Sequence, residues 1–502
     1  MDRNPSVAQP AAAKRLEPSR NGEGLPANGE GLPANAVRLA FAALVLAMLP
    51  AVLDQTILAT ALPTVAADLG RLGDLSWVVS AYVIASTAST PIWGKLGDRH
   101  SRKRLLEIQL ATFVATSALC GAAQNITELV AVRAVQGVAA GGLMTMAMAT
   151  VGDLVPPRER GRYQGYIAAT FAAATALGPL AGGLLVDHAS WRWIFFVNLP
   201  VGAAALLAVR SQLPSAPVER PTARLDTFGG VLLAGATAAF MLVCVWGGDR
   251  YAWGSAEIVS LIGATLVLAG ALVLRERHAA DPIVPVRMLA TPAVAVASAG
   301  LFFGTAALFA VTVFVPVFLQ AGAGLSPTQA GLLLVPMMVG TTISTTIAGR
   351  MMARTGRYKR FPLIGLGLMA AALVLLGALA RHRSAAETAV ALVLFGLGFG
   401  LVSQVLVVAV QNSVERTRLG VATATSTFFR ALGGSVGAAV LGAVFTARAG
   451  AGANSATVHA LAPSVRLDIA SAVQTVFLVA APLALVALLV VVWLPEAELK
   501  RG

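Results

Sequence analysis

Apolar runs of about 20 residues, long enough to cross a hydrocarbon layer of about 30 Å as a helix, recur along this chain almost without interruption. Fourteen lie between residues 38 and 494. The run at 193–210 is short, and the one at 293–320 is long and carries Pro316. In lipid each run must satisfy its own backbone hydrogen bonds, which makes each a helix. Composition agrees, with 57% of residues hydrophobic and only 12% charged, against about 25% charged in ordinary soluble domains. Ala, Val, Leu and Gly supply the apolarity, and small residues let membrane helices approach closely. The expected fold class is an all-α integral membrane protein of fourteen transmembrane helices in a lipid bilayer.

The net charge of +13 orients those helices. With the amino terminus inside, 28 of the 37 Lys and Arg fall in inside segments and 7 in outside loops, while Arg133 and Arg430 lie within helices. This bias predicts cytoplasmic termini and an even number of spans. It also accounts for the basic charge without a nucleic-acid partner. Residues 1–36 are polar, repeat NGEGLPA at Asn21–Ala27 and Asn28–Ala34, and read as a disordered cytoplasmic tail with no cleavable signal peptide. The longest outside loop, 448–470, is small and polar, so no extracellular domain is expected.

Two cytoplasmic segments echo each other. GKLGDRHSRKR at Gly94–Arg104 follows the second run, and GRMMARTGRYKR at Gly349–Arg360 follows the tenth. Equal sidedness implies a parallel repeat of two six-helix halves, although the positive-inside rule alone also enriches short loops in Arg. The offset is eight runs rather than six, so two helices are inserted. The expected organisation is a tail at 1–36, a six-helix bundle at 37–210, two inserted linker helices at 211–280, a second six-helix bundle at 281–496 and a short cytoplasmic tail at 497–502.

Asp54 stands well inside the first run, in LDQTILATALP at Leu53–Pro63. A carboxylate at that depth is costly and marks a functional site by default, and low dielectric favours its protonated form. Cys120 and Cys244 lie in apolar runs and show no metal-ligand spacing. His100, His188, His278, His382 and His459 are scattered. The chain shows no P-loop and no catalytic constellation, so neither an enzyme, a bound metal nor a cofactor is expected.

Several stretches, in order, resemble the major facilitator superfamily and, within it, the fourteen-span drug:proton antiporters. Gly94–Arg104 is similar to the loop motif G-x-L-a-D-r-x-G-r-k-x-x-l, with Ser101 in place of the usual Gly. The resemblance implies a conformational latch built on Gly94, Asp98, Arg99 and Arg102; Ala353 replaces the acid in the second copy. RAVQGVAAGG at Arg133–Gly142 resembles the fourth-helix motif and implies a part for Arg133 in proton transfer, with Gln136 sharing its hydrogen bonds. Gly165–Gly183 resembles the fifth-helix antiporter motif. Gly178 and Pro179 are expected to kink that helix, and Gly182 and Gly183 to let a neighbour come close. WRWIFFVNLPVG at Trp191–Gly202, SWVVSAYVIA from Ser76 and FFRALGGSVG from Phe428 are also typical of that family.

Relatives of this kind carry further acids in the tenth or thirteenth helix. Here neither span has one, and the thirteenth has Arg430 instead. One deep carboxylate implies simple proton coupling and weakens the case for divalent cationic drugs. Gln55, Tyr82, Gln136, Met144, Met148, Phe309, Gln404 and Gln411 are the candidate cavity residues, chosen as polar, aromatic or Met residues at depth; Met suits a site that repacks around different ligands. The expected function is proton-coupled efflux of small amphipathic compounds, such as drugs and antibiotics, by alternating access, with Asp54 as the protonation site. The expected setting is the bacterial cytoplasmic membrane, with a monomer as the working unit. A dedicated exporter of an endogenous antibiotic, siderophore, lipid or metabolite fits the same sequence. A non-transporting membrane sensor is a further alternative, which would tolerate Asp54→Asn.

Overall fold

The computed structural model describes residues 33–69, 75–214, 225–248, 250–322, 325, 327–380, 385–449 and 463–499. The expected amino-terminal tail lies outside these residues up to 32, the 448–470 loop over 450–462, and the carboxy-terminal tail from 500 on. The first half comprises α1 (Ala34–Leu69), α2 (Leu75–Arg99), α3 (Arg102–Ala122), α4 (Ile126–Leu154), α5 (Pro157–His188), the short α6 (Trp193–Phe196) and α7 (Asn198–Gln212). Next come α8 (Thr227–Trp246) and α9 (Ala256–His278). The second half comprises α10 (Val286–Leu289), α11 (Pro292–Val317), α12 (Pro327–Leu332), α13 (Val335–Thr355), α14 (Arg360–Leu379), α15 (Ala385–Asn412), α16 (Leu419–Ala449) and α17 (Pro463–Val492). Among the described residues there is no β-strand, only an isolated bridge between Gly247 and Tyr251.

Twelve of these helices are long and apolar enough to cross a membrane among the described residues, two fewer than the fourteen expected. The two long helices outside that count are α2 and α5. In α2, Ser80, Ser86, Thr87, Ser89 and Thr90 dilute the apolar run. In α5, Arg158, Glu159, Arg160 and Arg162 occupy the first turns.

Local chemistry sets the helix ends. Asn125 caps α4 by accepting from the Glu128 N–H at 2.9 Å, while Glu128 accepts from the Gln124 N–H at 3.0 Å; this reciprocal pairing satisfies two otherwise orphan donors. Asp226 caps α8 at the Gly229 N–H, 3.0 Å away, and pairs with Arg275 at the end of α9, so one carboxylate ties the two inserted helices together. Gly356, at φ 69°, ends α13 in the left-handed conformation that costs glycine least.

Each half has its own apolar core. In the second half it runs from Met288 to Leu499 and includes Phe395 and Phe477; in the first it runs from Ala40 to Leu213 around Leu44, Phe113 and Phe195. No residue of α8 or α9 belongs to either core. On α9 only Ile258 and Glu276 are buried, and Leu266 and Val267 are 68% and 71% exposed, as suits a helix whose outer face meets lipid.

The halves meet mainly through two helix crossings, α2 on α16 and α5 on α13. Each crossing is a glycine pair. A Cβ on Gly349 would lie 2.0 Å from the Gly161 carbonyl oxygen, and one on Gly420 would lie 2.5 Å from that of Gly94. Gly94 and Gly349 open the two copies of the repeated segment, so the repeat supplies one glycine to each crossing. Both crossings lie toward the face that carries Asp98, and on that face the halves are closed against each other.

Candidate functional site

Asp54 and Arg133 form a buried ion pair between α1 and α4, with their side chains each 1% exposed. Arg133 reaches Asp54 Oδ2 with Nη1 and donates from the same nitrogen to Gln136 Oε1 at 2.8 Å. Its Nε donates to the Val78 carbonyl at 3.3 Å, and its guanidinium lies 4.2 Å from the centre of the Tyr82 ring. Asp54 Oδ1 accepts from Asn198 Nδ2 at 3.2 Å and, more weakly, from Gln136 Nε2 at 3.4 Å. Asn198 also donates to Ser117 Oγ at 3.0 Å, and Ser117 donates to the Phe195 carbonyl at 3.0 Å. Four helices, α1, α3, α4 and α7, therefore converge on one carboxylate.

Asp54 is thus not the lone carboxylate that the apolar context of α1 suggested. A buried charge that keeps its ionised form needs a partner and further hydrogen bonds, and Arg133, Asn198 and Gln136 supply them. The arrangement has a chemical consequence. If Asp54 takes a proton, Arg133 still has the Gln136 oxygen, the Val78 carbonyl and the Tyr82 π-face, so the cation is not orphaned when its counter-ion is neutralised.

Asn198 and Ser117 were missed by sequence reasoning. Asn198 stands inside WRWIFFVNLPVG, whose tryptophans drew attention instead. Of these, Trp193 is 53% exposed, whereas Trp191 is 3% exposed and donates to Asp68 at 2.8 Å. Arg192 also binds Asp68, and these two bonds hold the Asp68 carboxyl below the usual carboxylate range.

The second site is the loop of the first repeat. Asp98 Oδ1 and Oδ2 accept from the Gly420 and Val421 N–H groups at 2.6 and 2.9 Å, capping the start of α16 in the opposite half, and Arg102 donates to Asp98 at 3.0 Å. Gly94 packs against Gly420 and Ala424. Arg102 also pairs with Asp153 at 2.7 Å. Arg99, grouped with Asp98 from the sequence, pairs with Asp281, as does Lys95. Asp281 follows α9, so the inserted hairpin is tied to the same loop. Burial pushes the Asp98 carboxyl up to about 6 against the opposing pull of Arg102 and the two amides.

The fifth-helix motif is only partly a close-packing device. A Cβ on Gly178 would lie 2.1 Å from Thr56 Oγ1, so α5 does press on α1 there. A Cβ on Gly183 would meet nothing within 4 Å, contrary to the expectation of a close neighbour. Gly182 is buried. The helix continues through position 179 to His188, and the Pro179 side chain lies outside the described residues.

Apart from Gln136, which bonds Arg133, the candidate cavity residues fall in four places. Gln55, Tyr82 and Met144 line one cavity of about 250 Å³ together with Phe171 and Thr175, all from the first half. Met148 and Gln411 meet across the halves, Gln411 donating to the Met148 carbonyl at 3.5 Å and to Thr423 at 3.0 Å, in the closed region. Gln404 is buried and Phe309 faces a separate cavity. In the second half Arg430 donates to the Ser403 carbonyl at 3.2 Å and pairs with no carboxylate among the described residues.

A two-halved bundle with twelve helices, among the described residues, long and apolar enough to cross a membrane is the architecture of a multi-pass membrane protein. The chain belongs to the major facilitator superfamily, whose pattern matches residues 44–438. It is 42% identical over 403 residues to a protein of Mycobacterium tuberculosis (strain ATCC 25618 / H37Rv) described as an uncharacterized MFS-type transporter; the match covers 80% of this chain and 58% of that protein, so this chain spans little more than half of its length. It is 35% identical over 407 residues to the multidrug transporter protein MdtP of Bacillus subtilis (strain 168), covering 81% of this chain and 75% of that one. Among solved structures, the human organic anion transporter MFSD10 superposes with a TM-score of 0.66 over 92% of this chain and 100% of that one, at 17% identity. The protein is therefore a multi-pass membrane protein of this superfamily.

Proposed function

We propose that the chain is a proton-coupled antiporter that exports small amphipathic compounds by alternating access, with Asp54 as the protonation site and Arg133 as its counter-ion. The observation that carries this reading is the buried Asp54–Arg133 pair, in which the cation keeps other partners once the carboxylate is neutralised. Relatives named as multidrug transporters support the choice of cargo. In this reading α2 and α5 also span the bilayer, giving fourteen spans as two six-helix bundles plus the inserted α8 and α9. Both termini and the Asp98 face are cytoplasmic, the membrane is a bacterial cytoplasmic membrane, and a monomer is the working unit.

A proton from outside neutralises Asp54 and loosens its hold on Arg133. The pair re-forms when the proton leaves to the cytoplasm. Substrate drives this exchange only through a difference in its affinity for the two states. Asp98 and the two glycine crossings hold the cytoplasmic side shut between these events.

The test uses energised inside-out vesicles with a pH-sensitive dye, challenged with lipophilic cations and neutral antibiotics. Wild type is expected to release protons on addition of a substrate, and Asp54→Asn is expected to release none. Equal responses from the two forms would remove Asp54 from the coupling step.

A further inference from the structure

The inserted helices belong to neither core, yet α8 packs on α2 and α16, one of the two crossing pairs. Between these three helices and α11 lies a cavity of about 570 Å³, within the size range of small-molecule sites. It is distinct from the smaller cavity beside Tyr82 and Met144. Val83 and Ile84 of α2, Met241 and Cys244 of α8, Phe309 of α11 and Gly442 of α16 line it. It occupies the ends of α2, α8 and α16 remote from Asp98, so the helices that are pinned at Gly94 and Gly420 diverge around it.

The lining defines the chemistry of an occupant. No charged side chain is among the lining residues. The Ser435 and Thr446 hydroxyls donate to carbonyls of their own helix at 3.2 and 3.1 Å, so they present apolar carbon to the space. Ser80 and the Gly247–Gly248 backbone add polar groups, but an ion there would give up hydration with no opposite charge among the lining side chains to replace it. An uncharged lipophilic molecule would not. Because the walls come from both halves, the cavity must change shape whenever α2 and α16 change their crossing. A ligand in it therefore has different affinities for the two states, which is what coupling requires.

We propose that this cavity binds uncharged lipophilic transport substrates, and that α8 walls it off from lipid. The proposal rests on the transport reading above for the word substrate, but its test needs no transport. Full-length protein in nanodiscs is titrated with Nile red, a neutral lipophile. Gly442 is the variant of choice, because a Cβ there meets no atom within 4 Å and a larger side chain grows into the cavity. Gly442→Phe is expected to raise the Nile red Kd about tenfold or more, while Met144→Phe, in the other cavity, leaves it unchanged within about twofold. If Gly442→Phe fails to fold, Ala438→Phe on the same wall takes its place. Protection of Cys244 from a lipophilic maleimide by Nile red, in a Cys120→Ser background, checks the location in protein with an unfilled cavity.

Undiminished binding in the filled variant, binding lost only in Met144→Phe, or no protection of Cys244 would each overturn the proposal. Nile red quenched by brominated acyl chains as strongly as in protein-free nanodiscs would place the dye in lipid and overturn it too. Asp54→Asn is expected to keep Nile red binding. A failure of proton coupling and a failure of this site are therefore separate results.

Discussion

The crossings of α2 on α16 and of α5 on α13 are copies of one contact that are secured by different means. Both are glycine on glycine, and both take one glycine from the repeated segment. At the first, Asp98 reaches across and caps α16. At the second the corresponding residue is Ala353, and no acid can reach across. There the carboxy-terminal segment makes the link. The Leu499 N–H donates to the Gly356 carbonyl at 3.0 Å, and the Leu499 carbonyl accepts from Arg158 Nε of the opposite half at 3.1 Å. Tyr358 anchors the same segment by donating to the Pro495 carbonyl at 2.8 Å. Backbone geometry follows the repeat, whereas the polar chemistry does not.

The interiors differ in the same way. The first half buries a carboxylate with its cation; the second half-buries Arg430, which among the described residues bonds a carbonyl and no carboxylate. Removing one partner of a buried pair leaves an uncompensated charge, at a cost of about 3–5 kcal/mol. Arg133→Leu is therefore expected to lower the thermal midpoint in detergent sharply, and Asp54→Asn in the same chain to restore most of it. Arg430→Leu strands no carboxylate and is expected to cost less than about 1 kcal/mol or to stabilise. Equal losses from the two arginine variants would erase the distinction between the halves.

The two latches are separated by thiol labelling of Met148→Cys, which lies behind the crossings, in a background of Cys120→Ser and Cys244→Ser. Asp98→Ala removes the cap on α16 and the bond from Arg102, weakening the closed state by about 1–2 kcal/mol and raising labelling about tenfold. Burial raises the Asp98 carboxyl from 3.8 to about 6. The protonated carboxyl therefore adds stability to the closed state beyond the cap itself, an addition that is full below the ordinary value and lost as pH rises through about 6. Wild-type labelling, corrected for the thiolate fraction, should increase across that window, and Asp98→Ala should flatten the increase. Arg158→Ala removes the one charged bond to the carboxy-terminal segment and is expected to raise labelling a few-fold, for about 1 kcal/mol. An effect larger than that of Asp98→Ala would reverse the ranking of the two crossings.

What the sequence disclosed follows from what periodicity and isolated charges can encode. Long apolar runs placed the helices, and an acid or an Arg inside such a run, as at Asp54 and Arg133, announces itself. The repeat led to Gly94 and Gly349, though not to their shared role, since the glycines facing them, Gly420 and Gly161, stand in unremarkable contexts. Asn198 and Ser117 are ordinary polar residues whose importance comes only from where α7 and α3 are packed. Asp281 lies 186 positions from Lys95, beyond any local pattern, so its pairing with Lys95 and Arg99 was not legible in the motif. Gly183 matched a motif but faces open space, because a motif records residue type and not the neighbour.

The most direct test of the account is the proton released when substrate binds to purified protein in weakly buffered detergent solution, with no membrane and no gradient. A compound that collapses the gradient in vesicles serves as the substrate. The account predicts that wild type gives up a proton on binding and that Asp54→Asn binds without releasing one. Proton release that persists undiminished in Asp54→Asn would contradict it.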